Sequence, residues 1–283
     1  MAVDPETLLM KAVEKNVELW SCSKWNTELI DIAPPVLWFG NLMSEKRKIL
    51  TIGANPSRRE FFESREGRVP LKKPRLTLLT DRQDLQILDQ NESIRKRIID
   101  GFNHYFDDRG NENPYTQWFG KKSGGKVEGF VNGMGASFYE TSDLKLSAVH
   151  ADLFPFATMK NFTVIKKQVV TDLFSEGWAP NLLGDIIDLV NPIAVIVQGK
   201  GNVEQFKDFF GAQRNDISNG EFSYHDGNDK RYDVPWSVGT SYGRIPTACI
   251  ELNLGNPKGC SKGELNQFGE CILEKLLHNG SNT

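Results

Sequence analysis

Two asparagine–proline pairs stand where the chain passes from apolar to polar. One is Asn55-Pro56 in ILTIGANPSRREFF (49–62), the other Asn256-Pro257 in LNLGNPKGCS (252–261). Proline disfavours α geometry in the residue before it, which keeps such an asparagine extended at the mouth of a strand. A carboxamide held there can orient a water through its oxygen and donate through its nitrogen. It cannot serve as a strong general base, because it does not ionise. Taken alone, Asn55-Pro56 reads first as a turn starter.

The second pair continues into Lys258, Gly259, Cys260 and Ser261. Glycine allows close backbone approach to a phosphate or base, and Lys258 and Lys262 can neutralise phosphates. The same residues make a tight strand-to-helix loop, with Ser261 as N-cap and Glu264 completing a capping box. Both readings hold together, since a capped loop presents its amide in a fixed place.

A third polar end follows LSAVHADLF (146–154), where Asp152 precedes Pro155, Phe156 and Thr158. Its carboxylate could accept from a base edge or activate water, or it could cap a helix or pair in a loop. His150, two residues earlier, faces the same side of a regular strand and reads as a near-core residue. Between 58 and 80 lie Arg58, Arg59, Arg65, Arg68, Lys72, Lys73 and Arg75 without periodicity. They read as a long exposed loop, and directly after Asn55 they could also track a phosphate backbone.

These residues need elements to position them. Apolar runs at 48–54, 146–154, 193–199 and 247–254 predict four short buried strands. Helical spacing predicts helices over 5–20, 85–106, 126–138, 178–191 and 262–279. The polar, Gly- and Asp-rich stretch 211–244 reads as an insertion or hairpin. Strands separated by helices predict an α/β fold: a three-layer α/β/α arrangement around a central four-stranded, mainly parallel sheet. Ligands of such sheets bind at the carboxyl ends of the strands, where the polar residues above are found. The expectation is a single domain over 1–283, with insertions at 63–125 and 211–244.

Composition sets the bounds. With 283 residues, 39% hydrophobic and 25% charged, the chain can bury a sizeable core and reads as a soluble globular protein. A formal net charge of −3 excludes an all-over basic coat, though not a local basic groove. The start carries acidic residues where a signal peptide would need basic then apolar ones, and no run approaches the ~20 apolar residues of a membrane span. Cys22, Cys249, Cys260 and Cys271 show no CxxC spacing, which predicts free thiols and a cytoplasmic location.

Together the motifs carry a resemblance. GANPS (53–57) resembles the first active-site motif of the uracil-DNA glycosylase superfamily, which reads GINPG in its mismatch-specific uracil/thymine branch. NPKGCS (256–261) resembles that branch's second motif, NPSGLS, and VIVQGKG (195–201) resembles the superfamily's penultimate strand and turn. The similarity covers roughly 48–62, 146–158 and 193–278. It implies a DNA base-excision glycosylase that hydrolyses the N-glycosidic bond of a flipped uracil-like, deaminated or mismatched base, without a metal or other cofactor.

By that resemblance Asn55 positions the attacking water, and Asn256 sits at the motif that stabilises the developing base anion. Gly53, Ala54, Pro56 and Asp152 would surround the base, with Phe61, Phe62 or Phe138 stacking on it. Lys258, Gly259 and Cys260 would form the wedge that fills the gap left by the base. Ser57, Arg58, Arg59, Lys200, Ser261 and Lys262 would complete the DNA contacts of a monomer. Three positions depart from the pattern. Asp152 stands where many members place an asparagine; ionised, it offers only acceptors, suiting a ring N–H or exocyclic amine and repelling a keto oxygen. Residue 57 is serine rather than glycine, and residue 260 is cysteine where the branch has leucine. The four cysteines also lack the spacing of the iron–sulfur cluster that some of these glycosylases carry. Two alternatives stay open: a non-catalytic nucleic-acid- or base-binding protein of the same fold, and an unrelated α/β enzyme acting on a small nucleotide.

Overall fold

The four apolar runs lie side by side. The computed structural model describes residues 3–64, 67–107, 116–122, 124–140, 143–210, 218–242 and 245–280. Its strands are β1 (Lys48–Gly53), β2 (Ala136–Ser137), β3 (Leu146–Asp152), β4 (Ala194–Gln198), β5 (Ser218–His225), β6 (Arg231–Ser241) and β7 (Ile245–Ile250). They form one sheet in the order β2-β3-β1-β4-β7-β6-β5, so the four expected strands occupy its centre. β4 runs parallel to both β1 and β7, with Thr51 opposite Ile196 and Ile196 opposite Ala248. β6 is antiparallel to β7, and β5 to β6.

Among the described residues the sheet is therefore mixed and seven-stranded, not the four-stranded sheet expected. The difference has a physical cause. The 211–244 stretch reads as polar because β5 alternates exposed and covered residues, as an antiparallel edge strand does. The central strands are apolar on both faces: every residue of β4, and every residue of β1 after Lys48, is buried.

The helices are α1 (Pro5–Trp20), α2 (Gln83–Gln86), α3 (Glu92–Asn103), α4 (Thr116–Phe119), α5 (Lys126–Gly133), α6 (Phe162–Val169), α7 (Trp178–Val190), α8 (Lys200–Phe210) and α9 (Lys262–Gly280). α1 begins where expected: Asp4 caps it by accepting from the Thr7 amide at 2.8 Å, and Pro5 supplies a preset φ. The helix expected over 85–106 is broken into α2, a 3-10 turn (Leu88–Gln90) and α3, because Asn91 accepts from the Ile94 amide and starts a new helix. The helix expected over 126–138 stops at Gly133 and gives way to β2. The 58–80 stretch is irregular, but not the exposed loop expected. Phe61, Phe62, Leu76 and Leu79 are buried, and Arg75 donates to the carbonyls of Tyr105 and Asp107 at 2.7 Å each.

The chain divides into two compact units. The first comprises 1–43, 54–114 and 151–190; the second comprises 44–53, 115–150 and 191–283. The first unit is helical, with α1 packed on α3 and α7. Its interior holds Trp25, whose indole N–H donates to Asp172 at 2.9 Å, and Trp38, which donates to Asn103 at 3.1 Å. Buried Tyr105 donates to Glu60 at 2.7 Å.

The second unit holds the sheet. Phe222 of β5 stacks on Phe268 of α9 at 4.3 Å, while its neighbour Glu221 lines a groove with Val203 and Lys207 of α8. Successive strand residues face opposite sides, so α8 and α9 cover opposite faces. α5 crosses α9 at glycines: a Cβ on Gly133 would lie 1.9 Å from the Asn266 carbonyl oxygen, and one on Gly269 would lie 2.0 Å from that of Phe130. None of the four cysteines is paired. Among the described residues no helix is long and apolar enough to cross a membrane.

Candidate functional site

In the second unit, β4 lies between β1 and β7 and runs parallel to both, so the carboxyl ends of β1 and β7 emerge on one edge of the sheet. Two interstrand spacings separate them, about 10 Å. The strand order also reverses at β1/β4: β3 lies outside β1 in one direction and β7 outside β4 in the other. Such a reversal opens a crevice at the carboxyl ends, where α/β sheets bind ligands.

Asn55 belongs to the first unit, with Ala54, Pro56, Ser57, Arg58, Arg59, Phe61 and Asp152. Its amide nitrogen lies 3.1 Å from Thr158 Oγ1 and 3.3 Å from each of the carbonyl oxygens of Pro56 and Phe156. The Thr158 hydroxyl donates its one proton to the Lys160 carbonyl at 2.7 Å, so towards Asn55 it can only accept. All three neighbours of the nitrogen are thus acceptors, which fixes the rotation of the amide. Its carbonyl oxygen accepts no hydrogen bond among the described residues and is left as an acceptor of set direction. Ala54 is tied in turn, its carbonyl accepting from the Phe154 amide at 3.0 Å.

Beyond Asn55, Ser57 caps a short 3-10 turn (Arg58–Glu60) by accepting from the Arg59 amide at 3.2 Å. Arg58 donates to the Gly67 carbonyl at 2.7 Å and lies over the Phe62 ring, 5.4 Å from its centroid. The Nε atoms of Arg58 and Arg59 are buried without hydrogen-bond partners among the described residues. Phe61 is fully buried, and Asp152, the last residue of β3, is 6% exposed.

Gly53, Phe138, Lys200, Asn256, Lys258, Gly259, Cys260, Ser261 and Lys262 belong to the second unit. The Asn256 loop is fixed by its own hydrogen bonds. Asn253 accepts from the Gly255 amide through its side chain at 3.1 Å and from the Asn256 amide through its carbonyl at 3.0 Å. The Pro257 carbonyl accepts from the Tyr224 hydroxyl at 2.9 Å and from the Cys260 amide at 3.0 Å. Lys258 and Gly259 both take positive φ, +47° and +88°, and a Cβ on Gly259 would lie 2.8 Å from that of Asp226. Only glycine fits there. The capping box is present: the Ser261 amide donates to Glu264 at 2.7 Å and the Glu264 amide to the Ser261 hydroxyl at 3.2 Å.

Asn256, Lys258 and Gly259 are exposed on this fixed loop, as is Lys200 at the start of α8, while Cys260 is buried beneath it. Burial, and then the nearby Glu264, push the Cys260 thiol up to about 12, so it is a neutral packing residue at any ordinary pH. Tyr224 is likewise pushed up to about 12, first by burial, which keeps its hydroxyl a donor to Pro257.

Residues that sequence reasoning missed complete the second unit's edge. The Trp118 indole lies against Gly255, where a Cβ would come within 2.1 Å of its Nε1. It also packs edge-on against His150 at 5.1 Å, as does Phe119, and Phe119 packs against Phe138 at 5.4 Å. His150 Nδ1 shares a 2.8 Å hydrogen bond with the Thr51 hydroxyl. Phe138 is 3% exposed and its amide donates to Glu128 at 3.1 Å. Nothing in the sequence links Trp118 to position 255, and nothing links Thr158 to Asn55. Both contacts depend on loop paths that periodicity does not encode.

Among the described residues no group of three or more His, Cys, Asp or Glu side chains converges to hold a metal ion. Further concavities lie within the units, one in the first and two in the second. That of the first, about 270 Å³, is lined by Asn26, Asp31, Phe62, Arg68 and Arg82 among others, with Arg82 paired to Asp31. Of those in the second, one of about 360 Å³ lies beside Lys207, Glu221 and Cys249, and one of about 460 Å³ beside Gly135 and Asp143. Comparison with protein-family models, curated proteins and solved structures finds no match to the chain.

Proposed function

We propose that the protein is a monofunctional DNA glycosylase that hydrolyses the N-glycosidic bond of an extruded, uracil-like, deaminated or mismatched base. The observation that carries this reading is the fixed amide of Asn55, with its nitrogen surrounded by acceptors and its oxygen left to hold a water. On this reading β3, β1, β4 and β7 correspond to the four-stranded sheet of the uracil-DNA glycosylase superfamily, and β2, β5 and β6 are additions to it. The partner is DNA carrying a damaged or mismatched base, the working form is a monomer, and the location is cytoplasmic.

The chemistry suits such residues. As the bond from C1′ to the base breaks, its electron pair leaves with the base and the sugar becomes oxocarbenium-like. Water adds to C1′, and its proton ends on the departed base. No strong base is needed at the water, because the developing cation attracts it. Asn55 orients the water instead of ionising it, and fixed dipoles aimed at developing charge lower the barrier. On the same reading Asn256, whose loop is held by Tyr224, Asn253 and the capping box, donates to the leaving base. Lys258 and Gly259 supply the phosphate-facing and close-approach positions of the wedge.

Duplex oligonucleotides carrying uracil, hypoxanthine, xanthine or a mismatched thymine test the reading. Release of at least one of these bases is expected. Binding to the duplexes with release of none would make the protein a binder of the same fold, and no binding at low salt would remove DNA as its partner.

A further inference from the structure

The central strand ends on a buried amide that the mechanism above does not use. Gln198, the last residue of β4, is 2% exposed. Its Oε1 accepts from the Leu254 amide at 3.0 Å, which fixes the rotation of the carboxamide. Its Nε2 is buried and has no hydrogen-bond partner among the described residues. A buried donor left unmatched is costly, so Nε2 is matched by an acceptor outside the described protein groups, a water or the carbonyl of a bound ligand that displaces it.

The surroundings say what kind. Ile52 stands opposite Val197, which puts Gly53 level with Gln198 on the neighbouring strand and on the same face of the sheet. Gly53 brings no side chain there. Thr51, one step back on that face, holds His150, against which Trp118 and Phe119 pack. Trp118 covers Gly255, next to the Leu254 whose amide anchors Gln198. A series of contacts thus runs from Gln198 through Leu254, Gly255, Trp118 and His150 to Thr51, all within the second unit, at the β1/β4 reversal. Aromatic rings close by, a missing side chain at Gly53 and one unmatched donor suit a planar heterocycle with a ring carbonyl.

We infer that Gln198 reads the bound base by donating from Nε2 to a keto oxygen, selecting keto bases over their amino counterparts. The inference rests on the base-excision reading and gives it the specificity element that Asp152, an acceptor when ionised, does not provide. Uracil differs from cytosine, and hypoxanthine from adenine, by a keto oxygen where the other carries an amine. Nε2 attracts the first of each pair and opposes the second.

Gln198→Glu tests this, because it keeps an oxygen for the Leu254 amide and exchanges the donor for an acceptor. Binding of the free bases uracil and cytosine is measured by titration of the folded protein, and excision on duplexes carrying either base in parallel. The wild type is expected to prefer uracil by roughly ten- to a hundredfold, and the variant to lose or invert that preference. An unchanged preference would overturn the inference. If the variant does not fold, the wild-type side-chain amide resonance of Gln198 decides. It should move on adding uracil and not on adding cytosine, and an amide unmoved by either overturns the proposal. Free-base binding needs no bond cleavage, which separates the two claims. Uracil binding through Gln198 without excision would retain this inference and remove the glycosylase. Excision of uracil with an unmoved Gln198 would do the reverse.

Discussion

Asn55 is useful to the proposed reaction only while its amide cannot turn. Rotation by half a turn would point its oxygen at three acceptors, so the surroundings hold it against repulsion as well as by hydrogen bonding. Thr158 matters most, since its hydroxyl is committed to Lys160 and offers Asn55 a lone pair only. Thr158→Val removes that lone pair at nearly constant volume. It should lower the single-turnover excision rate about ten- to a hundredfold while leaving duplex affinity within about twofold. A rate equal to the wild type's would show that Thr158 does not hold the water-bearing amide. Asn55 and Asn256 could be singled out from the sequence because each sits beside a proline at the end of an apolar run. Thr158, Trp118 and Gln198 could not, because each acts through a contact with a residue distant in sequence, and none carries a local signature.

The elements place these residues through caps and close approaches. The Ser261–Glu264 capping box was legible in the sequence, because its spacing is local. Ser261→Ala should cost about 0.5–2 kcal/mol in denaturant unfolding and weaken duplex binding, since the same cap holds the Asn256 loop. Glu264 is held below the ordinary glutamate range, chiefly by the Ser261 amide. Its contribution is therefore present above that range and lost as pH falls through the depressed value. The α5–α9 crossing makes a sharper prediction. Gly269→Ala sets a Cβ against a backbone carbonyl at 2.0 Å, which no rotamer relieves, so the helices must separate. A loss of about 3 kcal/mol or more is expected, and a loss under ~0.5 kcal/mol would contradict the crossing. Helix breaks were less legible. Asn91 looks like any polar residue in a charged helix until it is seen to cap α3, and α6, with the π-helical turn (Val170–Phe174) that continues it, is not among the helices expected from the sequence.

Across the whole molecule, the central strands were readable because strands buried on both faces are apolar throughout. Of the flanking strands, β5 and β6 were legible only as an insertion or hairpin over 211–244 and β2 not at all, because edge strands carry polar residues on their open face. The division of the chain into two units was hidden as well: each unit is assembled from three separate stretches, which no compositional boundary marks. Stability of the second unit should carry one acid-side signature. Glu128 is buried, and that burial raises its carboxyl above the ordinary 4.5 despite hydrogen bonds from Ser137, the Phe138 amide and Asn132. The folded protein thus holds this proton more tightly than the unfolded chain. Its contribution is full below the ordinary glutamate value and is lost as pH rises through the raised one. Denaturant unfolding of wild type and Glu128→Gln across that window should show the wild type losing stability relative to the variant as pH rises; a difference independent of pH would contradict it.

In the proposed reaction Asn55 orients the water that cleaves the glycosidic bond, and a comparison of wild type with Asn55→Ala reaches that role without intermediate steps. Wild type and Asn55→Ala are each mixed in excess with a uracil-containing duplex, and both base release and duplex binding are followed. Release by the wild type is expected, with a loss of about a hundred- to a thousandfold in the variant and binding within about threefold of wild type. Equal release by the two proteins, at matched binding, would contradict it.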